Sequence, residues 1–254
     1  DVHDSVVKFL ADGSLDTSFG DQGHVALPPD NSYEIYVDDN GSVNAERHYW
    51  SDSDGNANTR DILLSSDGQL IAQGSYIDYN DMPDGGRVYI VATQSHDDAT
   101  DEYSYSCTLS RVDAQGQQDL TFGVDGVAEV PDGFSAPEEM NFVGQDGNFY
   151  VEGWSEGEGD ADGHYSYTRL LADGTLDTEF GNDGVVDLPA GFYSAEVTAD
   201  GSLIAQDWDY EAQEFMRFTS SGELDTAFGD QGVLQLSASS AWVNQDGSIL
   251  AQGY

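Results

Sequence analysis

A two-part repeat runs along the chain and constrains its fold more than any other feature. One motif reads KFLADGSLDTSFGDQGHVAL (8–27), RVDAQGQQDLTFGVDGVAEV (111–130), RLLADGTLDTEFGNDGVVDL (169–188) and RFTSSGELDTAFGDQGVLQL (217–236). The second reads LLSSDGQLIAQGSY (63–76), FVGQDGNFYVEGW (142–154), VTADGSLIAQDW (197–208) and VNQDGSILAQGY (243–254). The two alternate. The Phe-Gly pairs start at Phe19, Phe122, Phe180 and Phe228, and the first gap is about twice the others, so one copy of the first motif is degenerate or lost.

Each motif has the form of a β-hairpin, with short alternating apolar runs flanking Asp-Gly or Gln-Gly turns that supply positive φ. Two hairpins make four strands in about 50 residues, the size of a propeller blade. In the clearest unit, strand a spans roughly 140–145, b 148–154, c 165–171 and d 184–188. The chain opens on a c–d pair (2–27) and closes on an a–b pair (241–254), so the two ends complete one blade together and close a ring without free edges. The expected fold is therefore all-β: one propeller domain, 1–254, of four-stranded antiparallel blades. Five blades fit the spacing; four blades with a hairpin inserted at 33–50 are the alternative.

The string LD-x-x-FG-x-x-G-x-V resembles the bacterial delta-sixty repeat family. It is carried by Leu15, Asp16, Phe19, Gly20 and Gly23; by Leu176, Asp177, Phe180, Gly181 and Gly184; and by Leu224, Asp225, Phe228, Gly229 and Gly232. The copy at 119–127 reads DLTFGVDGV, with the Leu-Asp order reversed. The resemblance implies a secreted or surface-displayed bacterial β-propeller and carries over no catalytic residue.

Charge excludes several functions. Seven Lys and Arg stand against 49 Asp and Glu, a formal charge of −42. Binding the phosphate backbone of nucleic acid needs a basic surface, as does docking on anionic lipid. No run of 18 apolar residues is present, so insertion in a membrane as a helix is not expected. Asp outnumbers Glu and Lys8 is the only lysine, a balance suited to saline surroundings and a marine or halophilic source. The chain starts at Asp1 without an initiator Met, as a processed chain or a fragment would. One cysteine, Cys107, excludes an intrachain disulfide framework; its alternating apolar surroundings make it a core thiol.

Four of the seven cations, Lys8, Arg111, Arg169 and Arg217, recur at one place on strand c. They are expected to pair with carboxylates such as Asp16, Asp177 and Asp225, a task suited to the guanidinium fork. The repeated Phe side chains are expected to pack the blades. Aromatic residues also recur at the end of strand b: Tyr76, Trp154, Trp208 and Tyr254, with Trp50 closing a less regular hairpin. The b–c segments that follow (51–59, 77–102, 155–164 and 209–213) vary in length and are mostly rich in Asp, Asn and Gly. Insertions on one face of a repeat ring mark its binding face. Rings beside carboxylates and amides suit carbohydrate; rings packed between blades are the alternative.

The same segments carry oxygen ligands two residues apart. Glu158, Asp160 and Asp162 precede Gly163; Asp52, Asp54, Asn56 and Asn58 form a second set; Asp78 and Asn80, with Asp84, form a third. Hard oxygen donors favour Ca²⁺. No nucleophile elbow, HExxH or phosphate-cradling loop occurs. The expected function is a non-catalytic extracellular module for adhesion, lectin-like binding or surface assembly, with Ca²⁺ as cofactor and a surface or matrix glycan or protein as partner. The alternative is a polysaccharide hydrolase or lyase with two carboxylates near the axis, drawn from Glu34, Asp61, Glu139 and Glu196.

Overall fold

A computed structural model describes residues 5–28, 33–47, 61–97, 102–131, 142–144, 147–155, 163–207 and 213–253. The fold is all-β: among the described residues there are antiparallel strands and turns and no helix. Two compact units divide the chain, 1–128 and 129–254.

In the first unit, β1 (Ser5–Val7) and β2 (His24–Ala26) form a two-stranded sheet. A four-stranded sheet follows, in the order β3 (Tyr33–Val37), β4 (Val43–Arg47), β5 (Asp61–Leu64), β6 (Leu70–Gly74). Thus the hairpin 33–47 is hydrogen-bonded through β4 into a sheet rather than standing apart as an insert. The next sheet holds β7 (Tyr76–Asp81), β8 (Arg87–Asp97), β9 (Glu102–Val112) and β10 (Val127–Glu129). The expected loop at 77–102 is therefore mostly strand. Met82, Asp84 and Gly85 turn the chain, and the apolar run Val88–Ala92 is buried by pairing back along β7.

The second unit has two four-stranded sheets. One is β11 (Phe142–Val143), β12 (Phe149–Ser155), β13 (His164–Leu170) and β14 (Val185–Asp187), close to the strands expected there. The other is β15 (Phe192–Val197), β16 (Leu203–Asp207), β17 (Gln213–Phe218) and β18 (Val233–Leu236). A two-stranded sheet of β19 (Ser240–Val243) and β20 (Ile249–Gln252) ends the chain.

Within each unit, cores lie between successive sheets. Phe19 and Leu27 meet Val43, Ala45, Ile62 and Leu64; Leu63 and Ile71 meet Tyr89 and Val112. In the second unit Tyr150, Tyr167, Phe180 and Val186 meet Ala195, Val197, Leu203 and Phe218. Burying each large ring contributes about 1.5–3 kcal/mol. Of the repeated phenylalanines, Phe19, Phe122 and Phe180 are buried as expected, and Phe228 is half-buried.

The repeated cations pair as expected. Arg111 and Arg169 fork onto Asp119 and Asp177 at 2.6–2.9 Å, and the guanidinium carbons lie 4.8 and 4.3 Å from the centroids of Phe122 and Phe180. Lys8 and Arg217 reach Asp16 and Asp225 more loosely, each at 3.5 Å. Two of these cations also clasp the next sheet: Lys8 Nζ donates to the Ser66 carbonyl at 3.0 Å and Arg169 to that of Ser220 at 2.5 Å.

The degenerate copy of the first motif can now be located. Val43↔Leu64 and Asn44↔Leu63 correspond in register to Phe149↔Leu170 and Tyr150↔Arg169, so fully buried Leu63 stands where Arg169 stands in β13. The hairpin 63–76 thus fills the third and fourth places of its sheet, although its sequence matches the hairpins in the first two. That corrects the place of Tyr76: it does not end a second strand but opens β7.

Candidate functional site

Strand alternation sets Glu152 and Trp154 on one face of β12, and Tyr165 and Tyr167 on the matching face of β13. Register pairs them directly, Trp154 with Tyr165 and Glu152 with Tyr167. The Trp154 and Tyr165 rings meet nearly edge-on, with centroids 4.8 Å apart and planes at 69°. Tyr165 in turn meets Tyr193 of β15, centroids 6.2 Å apart at 63°. A bulge between Phe192 and Ser194 displaces Tyr193 from regular pairing, and it is 46% exposed. Three strands therefore build an aromatic corner whose outer ring is open to solvent.

Two residue pairs further along lies a polar contact in the apolar core. Tyr167 is fully buried; its hydroxyl donates to the Glu152 carboxylate and accepts from the Ala195 N–H at 2.6 Å. Burial, reinforced by the charge of Glu152, raises the Tyr167 pKa and keeps the phenol a donor. Glu152 is 8% exposed, so this hydrogen bond offsets part of the cost of removing a carboxylate from water. Glu196, two residues before Thr198, has a pKa lifted by desolvation.

In the first unit, Glu34 stands opposite Glu46, and continuing the Ala45↔Ile62 register sets Glu46 opposite Asp61. Like charges facing across strands repel. Desolvation, then Asp61 and Glu34, raise the Glu46 pKa.

Of the aromatic positions expected to bind ligand, Trp154 joins this corner, where it is half-buried and packs against Tyr165. Tyr76 is exposed on β7, and its hydroxyl donates to Asp78 at 3.2 Å. Trp50, Trp208 and Tyr254 lie outside the described residues, as do Glu139 and the residues expected to ligate Ca²⁺, Glu158, Asp160, Asp162, Asp52, Asp54, Asn56 and Asn58. Asp78 and Asn80 fall on strand β7 rather than in a loop; Asp78 also accepts from the Tyr79 N–H at 2.8 Å. Asp84 lies in the β7–β8 turn and accepts from the Gly86 N–H at 3.0 Å. Among the described residues no group of three or more His, Cys, Asp or Glu is placed to hold a metal ion. Cys107 is buried, and burial pushes its thiol up to about 12, as suits a core thiol.

Tyr165, Tyr193 and the Glu152–Tyr167 pair were not singled out from the sequence. The available signal was the period-2 spacing in Glu152-Gly-Trp154 and Tyr165-Ser-Tyr167.

The family model described as a domain of unknown function (DUF5122) beta-propeller matches residues 2–19, a segment that includes β1 and the first Leu-Asp-x-x-Phe string. Among curated proteins, none matches the chain. What the short match supports is a propeller-like all-β family.

Proposed function

We propose that residues 1–254 form one five-bladed propeller that serves as a non-catalytic extracellular module, secreted or held at a cell surface. Four blades would be the four-stranded sheets. The fifth would join β19 and β20, as its first two strands, to β1 and β2. The two alternating hairpin motifs and the short match to a beta-propeller family model support this arrangement.

The ligand face in this reading is the end where second strands lead into third strands. The carrying observation is the aromatic corner of Trp154, Tyr165 and Tyr193, which ends in an exposed ring. Flat apolar sugar faces stack on such rings, while neighbouring carboxylates and amides take their hydroxyl hydrogen bonds. The partner is a glycan or a glycan-bearing protein of a surface or matrix, and assembly of copies into a surface layer is a variant of the same role. Ca²⁺ is the proposed cofactor, held by the acidic segments around Asp52 and Glu158.

Retention of the protein on immobilised polysaccharides and matrix proteins, in EDTA and in millimolar Ca²⁺, tests this reading. Retention without release of sugar ends supports it, and loss of retention in EDTA supports the role of Ca²⁺. Failure to bind any surface in either buffer removes it. Release of sugar ends would favour a hydrolase, a reading that the desolvated carboxyl of Glu196 keeps open.

A further inference from the structure

We infer that the aromatic corner selects a cationic glycan, a glucosamine polymer with free amino groups, over neutral or anionic ones; this rests on the glycan-binding reading above. Three observations point to that class.

The first is the state of the protein's own cations. Each of the five whose side chains are described is engaged internally. Lys8, Arg111, Arg169 and Arg217 are paired to Asp16, Asp119, Asp177 and Asp225. Arg87 bridges Asp38 and Asp81 at 2.9 and 2.7 Å while lying over the Tyr79 ring. Among the described residues, a uronate or sulfate would have to break one of these pairs to find a lysine or arginine counter-charge, leaving a carboxylate unpaired.

The second is the chemistry of the corner. The faces of Trp and Tyr rings carry negative potential and attract an ammonium within about 6 Å. Tyr193, the outer ring of the corner, is 46% exposed. Beside the corner on the same strand faces stands the Glu152 carboxylate, 8% exposed, where solvent and salt screen it least.

The third is the field of the whole chain. A formal charge of −42 concentrates cations at the surface and repels polyanions. That field brings a polycation close, and the rings give it a place to seat.

The test is titration calorimetry of the full chain, at mildly acid pH where glucosamine is charged, against three oligomers of equal length. These are fully deacetylated glucosamine, its N-acetylated counterpart and galacturonate. The glucosamine oligomer is expected to bind at least about tenfold more tightly than the N-acetylated one and to weaken as NaCl rises, and galacturonate is expected not to bind. Tyr193→Leu keeps the net charge and removes the ring; it should weaken glucosamine binding about tenfold, whereas Tyr193→Phe should retain it. Equal or tighter binding of the neutral or anionic oligomer overturns this inference and leaves the glycan reading standing. Unchanged binding by Tyr193→Leu overturns it too, because the overall field alone would then account for the affinity. Binding of none of the three overturns this inference, and the retention experiment above then decides the wider reading.

Discussion

Arg169 donates to the carbonyl of Ser220, 51 residues further along the chain, at 2.5 Å. The same guanidinium forks onto Asp177 and lies over Phe180, so one side chain ties strand, turn and neighbouring sheet together. The side chain of Arg169 is 10% exposed, whereas that of Lys8, in the equivalent place, is 46% exposed. Breaking a buried pair leaves an uncompensated charge and costs about 3–5 kcal/mol; an exposed pair contributes about 0–1 kcal/mol. Arg169→Ala should therefore lower the urea midpoint sharply, while Lys8→Ala should hardly move it. Equal effects from the two would show that the Arg169 clasp is not a principal tie.

A second prediction separates conformation from contact. Gly13 and Gly222 share nearly the same backbone, φ +84° and +80°. A Cβ on Gly13 would meet nothing within 4 Å, but on Gly222 it would lie 2.5 Å from the Gly181 nitrogen. That approach is where Gly181 N–H donates to the Ser221 carbonyl at 2.8 Å, stitching two sheets. Gly13→Ala should cost about 1–2 kcal/mol, the left-handed penalty alone. Gly222→Ala should cost distinctly more, since the clash is with backbone. Chemical denaturation of both variants measures the difference, and equal losses would mean the sheets separate freely at this point.

How far the sequence reached follows from which signals are local. Asp-Gly turns and apolar alternation declare hairpins within a dozen residues, and the strands around 142–187 follow them closely. The pairing of Arg169 with Asp177 was also legible, because both ends lie within one repeat. The place of a hairpin within its sheet is not local. The hairpin 63–76 has the same turn chemistry as the first pair of strands elsewhere, and only the pairing of Ala45 with Ile62 sets it third and fourth. Strand β7 was hidden because Asp78, Asn80 and Asp81 are poor strand formers; the pairing of Tyr76–Asp81 with Arg87–Ala92 overrides that preference. At the candidate site Trp154 stood out by its repeat position. Tyr165 and Tyr193 did not, since their meeting depends on a bulge and on two sheets coming face to face.

The carboxylate row across β3, β4 and β5 gives a prediction with a definite sign. Glu46 has a pKa raised in the folded state, first by desolvation and then by Asp61 and Glu34. A carboxyl with a raised folded pKa favours folding while it is protonated, below its unfolded value, and that advantage is lost as pH rises through the folded pKa. At neutral pH the ionised Glu46 therefore opposes folding. Glu46→Gln should raise the melting temperature at pH 7 and leave it nearly unchanged at about pH 3, where both forms are neutral. Added NaCl should shrink the gain at pH 7, because partly exposed like charges are screened. A variant that melts lower than the parent at pH 7 would show that Glu46 has a stabilising partner outweighing the repulsion.

Asp119 behaves in the opposite sense. Its pKa is lowered by hydrogen bonds from the Thr121 hydroxyl and backbone and by Arg111. A depressed folded pKa contributes stability above the unfolded value, here near 3.8, and loses it as pH falls through the folded one. Asp119→Asn should therefore destabilise the protein at pH 7, by a margin that closes as the medium becomes strongly acid. Asp119 Oδ1 accepts from Thr121 while Oδ2 takes the guanidinium of Arg111, so an amide in its place can keep the first contact but not the charge pair. Thr121→Val removes only the hydroxyl and should cost less than Asp119→Asn at neutral pH. If the two variants lose the same amount at pH 7, and neither loss fades in acid, the charge of Asp119 contributes nothing and the ion pair on this strand is incidental.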